Sequence, residues 1–177
     1  MMRYIKAFLF GITGLFIIIT LLSLLITSNV RVVRTTVINN TTIDKSYLQV
    51  ADLKNWKNWH PMFKTGVATI NFNDNTIGKN AACTIIYNNK NIRLLIIAGD
   101  STIVKFILQS PGENEIENAI SFTPITASKE IRVEWRALTK LHWYPWEKFY
   151  AIFLDKITGP GYDTALKGLK DFIENTP

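Results

Sequence analysis

The sequence predicts an α+β domain carried behind one membrane-spanning helix. Three observations predict it: an uncharged apolar run from Ala7 to Ile26, a central region of short strand-like segments divided by turn residues, and a C-terminal stretch whose apolar residues recur at spacings of three and four. The chain has 177 residues, and the length left after the apolar run is enough for one domain with a sizeable core. Its 47% hydrophobic content is concentrated in the first stretch, as expected if two parts of the chain meet two different solvents.

At about 1.5 Å per residue, the run from Ala7 to Ile26 makes a helix of roughly 30 Å, the thickness of a hydrocarbon core. Gly11, Thr13, Gly14, Thr20 and Ser23 are tolerable within it, because a helix satisfies its own backbone. Arg3 and Lys6 precede it, which also suits a signal peptide. A signal peptide, however, has an apolar segment of about 7 to 15 residues ending in a small-x-small cleavage site. This run continues through Leu24, Leu25 and Ile26 to Thr27-Ser28-Asn29, so an uncleaved anchor is expected, with residues 1–29 as anchor and 30–177 as the domain. Arg3 and Lys6 lie on one side of it and Arg31 and Arg34 on the other, so the positive-inside rule leans to a cytoplasmic N-terminus and an outward domain.

The formal net charge is +6, of which Arg3 and Lys6 supply two, and the other basic residues are scattered. No run resembles a nucleic-acid arm, so nucleic acid is not an expected partner. Cys83 is the single cysteine, which excludes an internal disulfide and a cysteine-rich metal site. With His60 and His142 as the only histidines, a three-histidine site is excluded as well, and neither a metal nor a cofactor is expected. The sequence has no nucleophile elbow, phosphate loop or dinucleotide fingerprint.

Val30 to Ile38 is β-branched and partly alternating and reads as a strand, with Arg31 and Arg34 toward solvent. Asn39-Asn40-Thr41-Thr42 turns the chain and offers N-caps to a helix in which Ile43, Tyr47, Val50 and Ala51 recur at helical spacing. Leu53 to Trp59 is a second short helical piece, ended by Pro61, with Trp56 and Trp59 on one face. Six strands follow: Val67–Phe72, Ala81–Tyr87, Ile92–Ala98, Thr102–Gln109, Asn118–Pro124 and Lys129–Leu138. The turn signals between them are Asn73-Asp74-Asn75, Asn88-Asn89, Gly99-Asp100, Pro111-Gly112 and Thr126 to Ser128, short enough to imply an antiparallel meander. In the last strand Ile131, Val133, Trp135 and Ala137 alternate with Arg132, Glu134 and Arg136, so one face is buried and one is wet.

After Leu141 to Trp146, an apolar stripe runs through Phe149, Ile152, Phe153 and Ile157, then Tyr162, Ala165, Leu166, Leu169, Phe172 and Ile173. It predicts a long amphipathic helix, kinked or divided at Gly159-Pro160-Gly161. A curved sheet wrapped around one such helix can leave space between them.

In this order of elements the sequence resembles the START and pollen-allergen-like superfamily, in particular the SRPBCC, or polyketide cyclase/dehydrase-like, proteins of bacteria. Three stretches carry the likeness. Val30 to Pro61 resembles the opening strand, helix and "dL.nW..W.P" segment, Asn118 to Trp135 the paired late strands, and Gly161 to Glu174 the closing helix with "L..LK..IE". An N-terminal anchor is similar to that of a common bacterial subgroup. The resemblance implies a helix-grip fold, a location in the bacterial inner membrane as a single-pass protein, and a cavity for a lipid or other hydrophobic small molecule. It also implies two alternatives: a cyclase- or dehydratase-like enzyme on an apolar substrate, or an interaction or stress-response protein whose interior is filled.

The candidates for acid–base chemistry are His60, His142 and Tyr144, all beside aromatic residues. Glu130, Glu134, Asp155, Asp163 and Asp171 read as solvated charge. Trp56, Trp59, Phe63, Trp135, Tyr144, Phe149 and Phe153 suit either an ordinary aromatic core or an apolar pocket, and the resemblance favours a ligand-binding pocket. Leu141 to Trp146 also suits an aromatic belt at a membrane surface. Both readings hold if a pocket mouth faces the bilayer.

Overall fold

A computed structural model describes residues 2–125 and 129–176. The turn expected at Thr126 to Ser128 lies outside the described residues. Helix α1 (Met2–Ser23) comes first, and its most apolar stretch has a mean hydropathy of 2.3 and no buried part. Length and composition suit α1 to crossing a membrane.

Strand β1 (Asn29–Asn39) leads into α2 (Ile43–Ala51), a single 3-10 turn (Leu53–Asn55) and the one-turn α3 (Trp56–Trp59). The meander follows as β2 (Thr69–Phe72), β3 (Ala82–Tyr87), β4 (Lys90–Asp100), β5 (Ile103–Gln109), β6 (Ile116–Pro124) and β7 (Glu130–Lys140). Helices α4 (Pro145–Ala151) and α5 (Leu154–Asn175) end the chain. The seven strands form one antiparallel sheet in the order β1-β7-β6-β5-β4-β3-β2, so β1 crosses over to close the edge beside β7.

Local chemistry accounts for most boundaries. The hydroxyl of Thr42 accepts from the Lys45 amide at 3.3 Å and starts α2. Asn88 and Asn89 both have positive φ, 48° and 59°, the geometry of a tight two-residue hairpin that asparagine tolerates. A register shift between Ile96 and Ala98 puts a bulge into β4 and bends the sheet there. Strand β7 alternates as expected, with Ile131, Val133, Trp135 and Ala137 buried.

The helices α2, α3 and α5 cover one face of the sheet. The indole N–H of Trp56 donates to the Val50 carbonyl, and that of Trp59 to the Gln49 carbonyl, both at 2.9 Å, which ties α3 to the last turn of α2. Gly168 lets α5 approach α3, because a Cβ there would run into the Trp59 carbonyl. At the other edge Arg34 of β1 binds Asp155 at 2.9 Å and Asp163 at 3.1 Å, and Gly159 leaves room for its guanidinium. Arg34 is thus not simply on the solvent side, and Asp155 and Asp163 are paired rather than only solvated.

The C-terminal region differs from expectation in one respect. Helix α5 runs through Pro160, and the interruption falls earlier, at Ile152-Phe153. Pro160 and Lys156 are both exposed, so the carbonyl that proline leaves without its usual donor lies on the wet side of the helix. The early break also removes Ile152, Phe153 and Ile157 from the buried stripe: each is more than half exposed.

Candidate functional site

The sheet and α5 do not meet everywhere. Toward the α3 end they enclose a cavity of about 400 Å³. Ile85, Leu94, Phe106 and Trp135 form its sheet wall, Trp56 and the loop from His60 to Phe63 form one side, and Thr158, Gly161, Tyr162 and Thr164 of α5 lie across it. Ile92 and Leu108 complete the lining on β4 and β5. Gly161 and Thr164 are exposed and Met62 is half-buried, which sets the mouth beside α5.

Aromatic rings build the floor. Trp56 touches Trp59, Phe63 and Phe106 at centroid distances of 4.9, 5.2 and 5.3 Å, and Trp135 meets Tyr162 at 5.0 Å. Trp135 turns its indole N–H away to Asn118, which accepts at 2.9 Å, so its polar tip is already satisfied. The cavity therefore presents ring faces rather than indole donors.

His60 is the polar exception. Its ring stacks on Trp56 at 5.1 Å, and its Nδ1 accepts from the Met62 amide at 3.2 Å. An accepting Nδ1 puts the proton on Nε2. Desolvation lowers its pKa from 6.5 to about 3, so the ring is neutral at physiological pH. Tyr162 is shifted the other way, its phenol pKa raised by burial, and it also stays neutral. Among the described residues that line the cavity there is no carboxylate, lysine or arginine. The site can offer neutral hydrogen-bond donors within an apolar wall, and His60 is too weak a base there to take up a proton near neutrality.

Of the sequence-predicted site residues, Trp56, His60, Phe63 and Trp135 come together on this cavity. Trp59 is buried behind Trp56 and does not line it. Tyr144, Phe149 and Phe153 stand apart, at α4 and its junction with α5, because the chain breaks at Ile152-Phe153 instead of carrying one stripe over the sheet. His142 is also elsewhere: its amide donates to Glu147 at 2.8 Å, and its ring is exposed beside Tyr144. No group of metal-ligating side chains occurs among the described residues.

Phe106 and Tyr162 are the aromatic lining residues that the sequence pattern does not single out as ligand contacts, alongside aliphatic and small ones such as Ile85, Leu94 and Thr158. Phe106 shares a strand face with Val104 and Leu108 by simple alternation, and Tyr162 opens the buried stripe of α5, so both carried a burial signal but none for a hollow.

No protein-family model matches the chain, and no curated protein matches it. Solved structures do. A hypothetical protein of Helicobacter pylori aligns with a TM-score of 0.60 at 12% identity, over 80% of this chain and 86% of that one. A Staphylococcus aureus protein of unknown function aligns with a TM-score of 0.59 at 15% identity, over 82% and 95% of the two chains. A protein of the dynemicin biosynthetic locus gives 0.56 at 10% identity, covering 84% of this chain and 48% of the other. At these identities the likeness shows a shared fold.

Proposed function

We propose that the chain is a membrane-tethered module of the SRPBCC type that holds a lipid or other hydrophobic small molecule between the sheet and α5. The observation that carries this reading is the cavity of about 400 Å³ with an almost wholly apolar wall. Ligand pockets range over about 300 to 1,000 Å³, so the space suits a small apolar molecule or part of a larger one. The lack of a lining charge disfavours a buried ionic headgroup, since a buried charge needs a partner. The Nε2–H of His60 gives a ligand carbonyl, ether or hydroxyl oxygen one donor to meet.

The tether is α1. Support for an anchor retained in the mature chain comes from Ser23, which is fully buried, and from Lys148 of α4, whose ammonium donates to the Ile26 carbonyl at 3.0 Å. A cleavable leader has no reason to be built into the domain at its C-terminal end. By the charge rule the N-terminus is cytoplasmic and the domain outward, as in a bacterial inner-membrane protein.

The test is retention of an apolar molecule by the delipidated full chain, read by native mass spectrometry and by displacement of a neutral hydrophobic dye. Leu108→Trp, which puts an indole into the cavity, is the comparison. Binding by the parent chain and its loss in L108W are expected; no binding by either, or equal binding by both, removes the reading. Of the three acid–base candidates only His60 lines the cavity, where its neutral ring suits hydrogen-bond donation rather than base chemistry, which disfavours a cyclase- or dehydratase-like activity.

A further inference from the structure

Outside the cavity, an apolar surface along α4 and its junction with α5 is left without a partner. Trp143, Trp146, Tyr150, Ile152, Phe153 and Ile157 are each more than half exposed. Six large apolar side chains exposed so close together mark an interaction site, and water is a poor partner for them. Its place in the fold says what covers it. The opposite side of α4, with Pro145, Lys148 and Ala151, is buried, and Lys148 bonds the Ile26 carbonyl just past the end of α1.

A helix that crosses a bilayer ends at its interface, so α4 is held by construction within about a turn of that boundary. Tryptophan and tyrosine partition to the headgroup level, and isoleucine and phenylalanine go deeper. The residues found are of both kinds. Lys156 is exposed on the first turn of α5, where an anionic headgroup would meet it.

We infer that the α4–α5 junction is a second membrane contact, seated in the interface of the same bilayer that α1 crosses. This rests on the reading of α1 as a span. The contact has a consequence for the cavity. Phe153, Ile157, Gly161 and Thr164 follow one another at helical spacing, so the lipid-facing stripe of α5 runs into the two exposed residues at the mouth. The mouth is then approached from the lipid interface, and the ligand is a membrane constituent that enters without crossing water.

The chain has five tryptophans, of which Trp56, Trp59 and Trp135 are buried and only Trp143 and Trp146 are exposed, so replacing the last two removes the fluorescence of the patch alone. The full chain is reconstituted into vesicles of phosphatidylethanolamine and phosphatidylglycerol, with or without brominated acyl chains. Quenching of the parent protein is expected, together with a marked fall in the quenched fraction in the double variant Trp143→Phe, Trp146→Phe, any remainder coming from Trp56 and Trp135 on the cavity wall. A second variant, Ile152→Asp with Phe153→Asp, keeps every tryptophan and should cut the quenched fraction roughly twofold or more, since interfacial binding scales with buried apolar area. Protein that floats with the vesicles but is not quenched leaves α1 as a span and overturns the second contact. Protein that does not float overturns both. A quenched fraction undiminished in the double phenylalanine variant, or crosslinked pairs of copies joined through the junction, also overturns it.

Discussion

The two halves of α5 face the same sheet and do opposite things. From Ala165 onward, Leu166, Leu169 and Ile173 are buried in the core with Ile38, Ile131 and Val133, and none of them lines the cavity. Before it, Thr158, Gly161 and Thr164 are small, and Phe106 and Trp135 of the sheet, with Trp56 of α3, line a hollow opposite them. Burial by large side chains seals one end; small side chains over a floor of rings leave the other open. The stabilising end and the candidate binding end of the domain are therefore separable by mutation along a single helix.

The sharpest break in this comparison comes from the sealed half. Leu169→Ala removes a fully buried side chain and should cost about 2 to 5 kcal/mol of stability in chemical denaturation, while dye binding by the folded fraction is unchanged. Gly168→Ala drives a methyl into the Trp59 backbone, which has no flexible end to yield, and should lower stability by about 1 to 3 kcal/mol.

The hollow half should answer to pH instead. His60 stays neutral in the folded protein down to a pKa of about 3, whereas an unfolded chain protonates it near 6.5. Below 6.5 the unfolded state binds the extra proton, so stability is complete above that value and falls as pH drops toward 3, by up to about 1.4 kcal/mol per unit. His60→Gln should flatten that part of the pH profile; an unchanged slope would show that the ring is not desolvated by the cavity wall.

Gly161→Ala should give the smallest effect and the opposite sign from its neighbour at Gly168. A Cβ at Gly161 meets open space, so the better helix former should stabilise α5 by roughly 0.5 to 1 kcal/mol, measured as a rise in Tm. Loss of stability there would mean that α5 is more tightly seated over the mouth than the open half implies.

The same contrast shows where sequence reasoning reached its limit. Periodicity placed Tyr162 to Ile173 against a core and was right; carried back to Ile152, Phe153 and Ile157 it was wrong, because spacing identifies a face but not what covers it. Proline chemistry at Pro160 argued for an interruption, and exposure of that side of the helix let α5 continue. The pairing of Arg34 with Asp155 and Asp163 joins residues far apart in the chain, and no local pattern announces it.

What the sequence determined by itself was local: the apolar run of α1, the Thr42 cap, the Asn88-Asn89 turn, the alternation of β7 and the antiparallel meander. Each depends on a handful of neighbouring residues and a fixed period of two or 3.6. What only the tertiary structure decided was distance: that β1 closes the sheet beside β7, that Trp56, His60, Phe106 and Tyr162 surround one space, and that this space is hollow. A cavity is the difference between the volume that separated elements enclose and the volume their side chains fill, and neither quantity belongs to any single stretch of chain.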